Sequence, residues 1–423
     1  MYIVKNILFF TFLANIFFGP PYTNITVLML PLNEWMLIIS LALIMPNILG
    51  IIKSYPIVIP ILSWSFGYLL LSVPFGFSEY GIWAGRDALH LIEVWWLVVI
   101  LFVLSRIDSE YELKKTLKII FYLLIVKLIV ILLGDTAKGI FIIQGVQGEM
   151  DLIGSTAGFS LAVFLMIWTK VAKIHTNVLI APIVIIFFVF LQSRYMYIGL
   201  ISSLFIYLLV QPPRRVLNII SKVIISSLFL LILLQFLSTF SFLDQYTRFG
   251  MESISPYYIY HHLLSSLGSS DVDNFVGASK GVGQRIEWFI YNWNIAINDG
   301  VKLFFGQGFG PVLTDFVAHG KIVREPHNSY LSVFARTGLI GFILWVFFHV
   351  YINTQAFFII KKNIGLICTS FSIQTLFVAF MAMHAMYLYA LVESAYESPY
   401  SAIPFYIILG TMTYLIKRYK YEQ

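Results

Sequence analysis

The sequence predicts an all-α fold: a polytopic transmembrane helical bundle of about twelve crossings with one large external, mainly helical loop. Three observations carry that expectation. Only 11% of the 423 residues are charged and 59% are hydrophobic, whereas a soluble domain carries roughly a quarter charged residues to keep its surface in water. Mean hydropathy is +0.86, and the apolar residues fall in runs close to the roughly 17–25 residues that a helix needs to span a bilayer core. A single long polar connection, 244–328, interrupts the pattern.

In chain order the runs are 2–18, 26–45, 57–73, 88–104, 117–133, 152–168, 178–191, 195–210, 217–236, 329–352, 365–392 and 402–416. The first is expected as a retained helix, because Asn15, two aromatic pairs and Pro20-Pro21 replace the small-residue cleavage site of a secretory leader. The stretch 178–210 is read as two short crossings around Gln192-Ser193-Arg194. One helix of that length would put the basic loops on either side of it on opposite membrane faces, and two short halves recess the Arg194 turn below the outer surface, within protein. Basic residues gather at one set of ends: Lys5, Lys53, Arg106 with Lys114, Lys115 and Lys118, Lys170 and Lys173, Arg214, Arg215 and Lys222, Lys361 and Lys362, and Lys417, Arg418 and Lys420. The opposite short connections carry Arg86, Lys138 and Arg194. That asymmetry places both termini in the cytoplasm and 244–328 outside. The expected organisation is nine crossings in 1–243, the external loop 244–328 and three crossings in 329–423.

The net charge of +6 is distributed over those anchors rather than gathered into a stripe, which argues against a nucleic-acid partner. Cys368 is the single cysteine, so neither an intrachain disulfide nor a cysteine zinc cluster can form. His261-His262 lacks a third ligand, as do Asp315 and His319, and no metal or cofactor is expected. Within the loop, Ile286, Phe289, Ile290, Trp293 and Ile297 repeat as a helical stripe. No inverted repeat or paired helix break of the transporter kind is visible.

Ionisable groups inside apolar runs are costly and mark either pairing or function. Arg86, His90 and Glu93 are spaced i, i+4, i+7 on one helix face, and Glu93 matches Lys127 of the next run in depth. Either Glu93 and Lys127 pair, or this face binds a sugar or an anionic lipid head. Arg336, about 12 Å down the tenth run by helical rise, either neutralises a buried acid or faces a polar cavity. The same run opens with Arg324-Glu325-Pro326-His327-Asn328-Ser329-Tyr330-Leu331. Proline fixes the backbone there and Asn328 or Ser329 can cap the helix, so Pro-His-Asn is either a plain cap or a device that holds an imidazole able to accept a proton at the outer boundary.

Taken together, Gln192-Ser193-Arg194, then Gln284-Arg285-Ile286-Glu287-Trp288 leading into Phe305-Gly306-Gln307-Gly308-Phe309-Gly310, then Pro326-His327-Asn328-Ser329-Tyr330-Leu331 with Gly338 and Gly341, resemble the O-antigen polymerase and O-antigen ligase superfamily of membrane glycosyltransferases. The resemblance lies in the second half of the chain. It implies a bacterial inner-membrane enzyme that takes a glycan carried on undecaprenyl pyrophosphate and transfers it to a sugar hydroxyl on the periplasmic side. Arg194 and Arg285 would clamp the pyrophosphate and His327 would orient or deprotonate the acceptor, which is another lipid-linked glycan for a polymerase or lipid A-core for a ligase. Guanidinium groups suit that work because they are permanently charged and bind phosphate oxygens in a fork. Arg324, Asn328 and Tyr330 beside His327 are further substrate-binding candidates, with Arg86, His90 and Glu93 bordering the same cavity. Polymerase is the preferred expectation, ligase the alternative, and a lipid-linked oligosaccharide flippase or transporter the alternative of another class.

Overall fold

The structure is a computed structural model and describes residues 1–133 except Met29, single positions between Phe205 and Tyr260, and 276–314, 316–318, 321–367, 369–391 and 394–422. Helix α1 is Tyr2–Phe18; a two-residue hairpin, β1 (Thr26–Val27) with β2 (Leu30–Pro31), leads into α2 (Leu32–Ile44) and α3 (Ile48–Ser54). Then come α4 (Ile59–Tyr80), three short helices α5 (Ile82–Asp87), α6 (Leu89–Glu93) and α7 (Trp96–Leu104), and α8 (Ser109–Leu133). After the undescribed stretch follow α9 (Val276–Asn298), α10 (Gly300–Phe305), a hairpin β3 (Val317–Ala318) with β4 (Lys321–Ile322), α11 (Ser329–Lys362), α12 (Phe371–Ala390) and α13 (Pro399–Glu422).

Among the described residues, six helices or helix runs are long and apolar enough to cross a membrane: Leu32–Ser54, Pro56–Tyr80, Ile82–Leu104, Ser329–Lys362, Phe371–Ala390 and Pro399–Lys420. The crossing expected at 117–133 falls in the second part of α8; those at 152–168 and 178–191, most of 195–210 and half of 217–236 lie outside the described residues. Several boundaries differ from the expected ones for local reasons. Residues 26–31 pair as a hairpin, so the second run starts at Leu32 rather than 26. Pro74 does not end the third run, and α4 continues to Tyr80; protein and lipid surroundings let such helices absorb a missing N–H. The fourth run opens at Ile82, not 88, which brings Arg86 and Asp87 into it.

The core forms where helices are apolar on every side. All nine side chains of α7 are buried, as befits a helix enclosed by others. It lies against α13, where a Cβ on Gly410 would come within 3.2 Å of the Leu97 carbonyl, so only glycine permits this approach. Asn15 of α1 and Asn33 of α2 exchange amide hydrogen bonds of 3.1 and 3.2 Å, tying the first helix to the second with buried polar groups satisfied.

Helix α11 carries the feature that shapes the site. At Gly338 the backbone turns to φ 63, ψ −168, and the helix breaks and resumes. A Cβ at Gly338 would stand 2.5 Å from the Gly306 nitrogen and the Phe304 carbonyl, so two backbones meet here with no room for a side chain. Gly338→Ala is therefore expected to cost about 2 kcal/mol or more in left-handed strain and overlap. A clear fall in the thermal midpoint of the detergent-solubilised protein is the measurement. Gly50→Ala, in α3 where nothing lies within 4 Å of the new methyl, is expected to leave the midpoint unchanged or slightly raised.

Candidate functional site

The break at Gly338 frees carbonyls that an intact helix would use internally. The glycine loop takes them up: the Gln307 amide donates to Ala335 at 2.7 Å and the Gly308 amide to Arg336 at 3.1 Å, while the Tyr68 hydroxyl donates to Thr337. Gly306, Gly308 and Gly310 all have positive φ, so the Gly-x-Gly-Phe-Gly sequence is what this close wrapping needs. The loop follows α10 rather than a strand and packs on α11. Phe309 is fully buried beneath Arg336, whose guanidinium carbon lies 5.7 Å from the ring centroid.

Around the loop the charges close into one cluster. Arg336 is fully buried and pairs with Asp87 at 3.0 Å and with Glu325, and its Nη1 donates to the Gly308 carbonyl at 3.2 Å. Arg324 donates to the same Asp87 oxygen at 2.9 Å and to the Gly310 carbonyl, and lies over the Trp83 ring at 4.4 Å. Of the two readings of Arg336, neutralisation of a buried acid is the one found, and there are two acids. Asp87, Trp83 and Glu325 are the members that sequence reasoning missed as site residues. Asp87 sits one residue before the run as first drawn, and a Gly-Arg-Asp turn at the end of an apolar stretch was the available signal.

The segment that carries His327 is fastened on both sides. The side-chain oxygen of Asn328 accepts from the Leu331 amide at 3.1 Å and so caps α11. Ser394 donates to the Pro326 carbonyl at 3.2 Å, and Ser329 donates to Glu397 at 2.7 Å while accepting from the Tyr396 amide at 3.1 Å. Burial first, and Asp87 second, push the Glu325 carboxyl above the usual range, with Arg336 opposing. Burial and the neighbouring Glu325 push Glu397 up to about 7. On the open side, the buried Trp288 of α9 lies 6.0 Å from the His327 ring. Arg285 stands three residues before Trp288 on the same helix face. Asn292, one turn further on, donates to Leu313 at 2.8 Å and accepts from Gln307 at 3.0 Å, which bolts that face of α9 to the glycine loop.

The structure thus brings the Arg285 face of α9, His327, Arg324 and the cap residue Asn328 to one end of α11. Arg194 lies outside the described residues. Tyr330 turns into the bundle, its hydroxyl donating to Tyr387 at 3.0 Å and its ring edge-on to Trp345 and Tyr396. Arg86, His90 and Glu93 do not share one environment. Arg86 is exposed and lies over the Trp83 ring at 5.0 Å, so one indole gathers Arg86 and Arg324. His90 is buried between Trp64 and Phe309 with its Nδ1 2.8 Å from the Asp87 carbonyl. The physical reason is the kink where α5 gives way to α6 at Ala88, which breaks the straight-helix register assumed from spacing. Glu93 is buried, and its carboxylate oxygens have no hydrogen-bond partner among the described residues; the side chain of Lys127, its expected partner, lies outside them. Glu93→Gln is accordingly expected to give as much folded, membrane-inserted protein as the parent, since it removes a buried acid that no described residue hydrogen-bonds. Loss of the protein in a fluorescence-detected sizing profile would instead assign a Glu93–Lys127 ion pair.

No group of three or more His, Cys, Asp or Glu side chains placed to hold a metal occurs among the described residues. What the arrangement offers chemically is fixed positive charge beside an imidazole. A comparison with curated proteins gives no match. Residues 178–346, the stretch that contains Arg194, Arg285, the glycine loop, His327, Arg336 and Gly338, match the family model described as O-Antigen ligase. That match, over 169 of the 423 residues, supports the O-antigen ligase and polymerase superfamily for this membrane protein.

Proposed function

We propose that the chain is a glycosyltransferase of the outer face of the bacterial inner membrane, with both of its termini cytoplasmic, and that it is the polymerase of a surface polysaccharide. The donor is a glycan on undecaprenyl pyrophosphate and the acceptor is the terminal sugar hydroxyl of a second lipid-linked glycan. The anomeric C–O bond to pyrophosphate breaks, the acceptor oxygen forms the new glycosidic bond, and the acceptor proton passes to His327. Polyprenyl pyrophosphate leaves with the bonding electrons, and Arg285 and Arg194 meet the charge it gathers. No nucleotide is at hand outside the cytoplasm, so the energy of the pyrophosphate linkage drives transfer. Arg324, with Arg86 across Trp83, supplies positive charge at the rim, and Asn328 shapes the backbone that carries the base. Tyr330, His90 and Glu93 border the site from the bundle side.

The observation that carries this reading is the approach of the His327 ring to within 6.0 Å of Trp288, one turn from Arg285, inside the segment that matches the O-antigen ligase family. Opposed charge at a developing anion in a dry site is worth several kcal/mol, in addition to what a general base contributes. The family description itself favours the second reading, a ligase whose acceptor is lipid A-core. The surface polysaccharide of a deletion strain separates the two. Core bearing a single repeat unit is the result expected for the polymerase. Full-length chains stranded on the carrier lipid would establish the ligase, and undecorated core with precursor accumulating on the cytoplasmic side would establish a flippase.

A further inference from the structure

Helix α9 has three faces. Arg285, Trp288, Asn292 and Ala296 follow one another at i, i+3, i+7 and i+11 and turn toward the protein, where Trp288, Asn292 and Ala296 are buried. Glu287, Asn294 and Asn298 make an exposed polar flank. The remaining side is the stripe Ile286, Phe289, Ile290, Trp293 and Ile297, and it is largely open among the described residues: Ile290 is 51% exposed where Asn292 is 0%. Val301 and Phe305 of α10 extend the same open apolar surface. Contiguous apolar area of this kind is not left to water without a partner.

The depth of the helix identifies that partner. Trp293 stacks on Phe289 at 6.1 Å and on Phe334 of α11 at 5.9 Å, and Phe334 meets Phe342 edge-on at 6.1 Å. Phe342 opens an apolar groove along the outside of α11 lined by Ile343, Val346, Phe347 and Val350, on a helix long and apolar enough to cross the membrane. The open face of α9 is therefore continuous with the lipid-facing side of a spanning helix. Lys361 and Lys362 mark the far end of α11. Beyond the break at Gly338, Leu339 is 22 residues from Lys361, or about 33 Å at helical rise, about the thickness of a bilayer core. Trp293 is pinned at that level, in the headgroup layer opposite the lysines.

We propose that α9 and α10 form an interfacial helix pair that docks on the lipid surface of the membrane, with Ile286, Ile290, Trp293 and Ile297 immersed at the boundary between headgroups and acyl chains. Amphipathic helices seat about 5–10 Å into that boundary, and tryptophan concentrates there. The polar flank with Glu287 and Asn294 then faces water and the opposite face faces the protein. A consequence that rests on the function proposed above is that Arg285 is held at the depth of lipid phosphate groups, where a polyprenyl pyrophosphate presents its charge.

The test uses the full-length protein in phosphatidylethanolamine–phosphatidylglycerol nanodiscs, in a Cys368→Ala background, with a small fluorophore attached at Ile290→Cys, at Ile297→Cys or at Asn294→Cys. The expected result is that a lipid bearing a doxyl group near its headgroup quenches the labels at 290 and 297 several-fold more than the label at 294, and that aqueous iodide gives the reverse order. Equal iodide quenching at all three positions would overturn the proposal by placing the helix in water. Protection of 290 and 297 from both quenchers would also overturn it, by showing protein on that face, whether a second copy or another segment of this chain. The readout does not involve glycan transfer, so an inactive protein with the expected quenching pattern would sink the proposed reaction and leave the lipid docking intact.

Discussion

Arg285→Ala abolishes glycan transfer and leaves membrane insertion intact, and Arg194→Ala does the same, if these two side chains carry the charge of the leaving pyrophosphate. The size of the effect follows from where charge develops. Removing one preorganised donor from a developing anion in a water-poor site typically lowers turnover by about 100- to 1,000-fold, and loss of a charge-assisted, two-pronged contact belongs in the upper part of that range. His327→Ala should cost a comparable factor, because a general base contributes about 100- to 10,000-fold. Arg285→Lys restores part of the rate, since a lysine keeps the charge and loses the fork. The measurement is chain formation by purified protein from a polyprenyl-pyrophosphate donor, with expression and sizing profile as the control for folding. Near-normal transfer in both arginine variants refutes the clamp. Arg285 is a fair position for this test because Trp288, Asn292 and Ala296 on its own face, rather than the arginine, supply the buried packing of α9.

The contrast between what could and could not be read from the sequence has a physical pattern. Composition and run length find spanning helices because the bilayer imposes one length scale on all of them, and the runs beginning at 57, 329, 365 and 402 correspond to helices of the described bundle. Chain-local motifs were also legible: proline before His327, the cap at Asn328, the helical stripe from Ile286 to Ile297. Pairings between distant segments were not. Gly306 and Gly338 stand 32 residues apart in the sequence, and only their mutual approach explains why both must lack a Cβ. Asp87 lay beyond a boundary drawn from hydropathy alone, and an acid at the end of an apolar run carries no mark of the two arginines that meet it. Periodicity located the apolar face of α9 but was silent on its surroundings, since a stripe facing a core and a stripe facing lipid have the same spacing. The i, i+4, i+7 register of Arg86, His90 and Glu93 assumed a straight helix, and the kink at Ala88 sends Arg86 to the surface and the other two inward.

Arg336 provides the second large effect, and here stability rather than turnover is the expected readout. Its guanidinium is fully buried between Asp87 and Glu325 and also holds the Gly308 carbonyl. Arg336→Met keeps most of the volume and leaves two carboxylates facing each other without their shared counter-charge, with Arg324 still compensating Asp87. Breaking a buried pair from one side costs about 3–5 kcal/mol, far more than the intact pair contributes. The glycine loop loses its side-chain tie to α11 at the same time, so Arg336→Met should show a large drop in thermal midpoint and in the amount of protein recovered from membranes. Neutralising the acids as well discriminates a structural role from a chemical one. Adding Glu325→Gln to Arg336→Met removes the stranded charge and should recover much of the lost stability, because a buried network replaced as a unit is close to neutral while a half-removed one is not. Should Arg336→Met instead prove as stable as the parent but inactive, the guanidinium would be acting on substrate, and the Asp87–Arg336–Glu325 cluster would have to be counted among the reacting groups rather than as the scaffold that holds the glycine loop against α11.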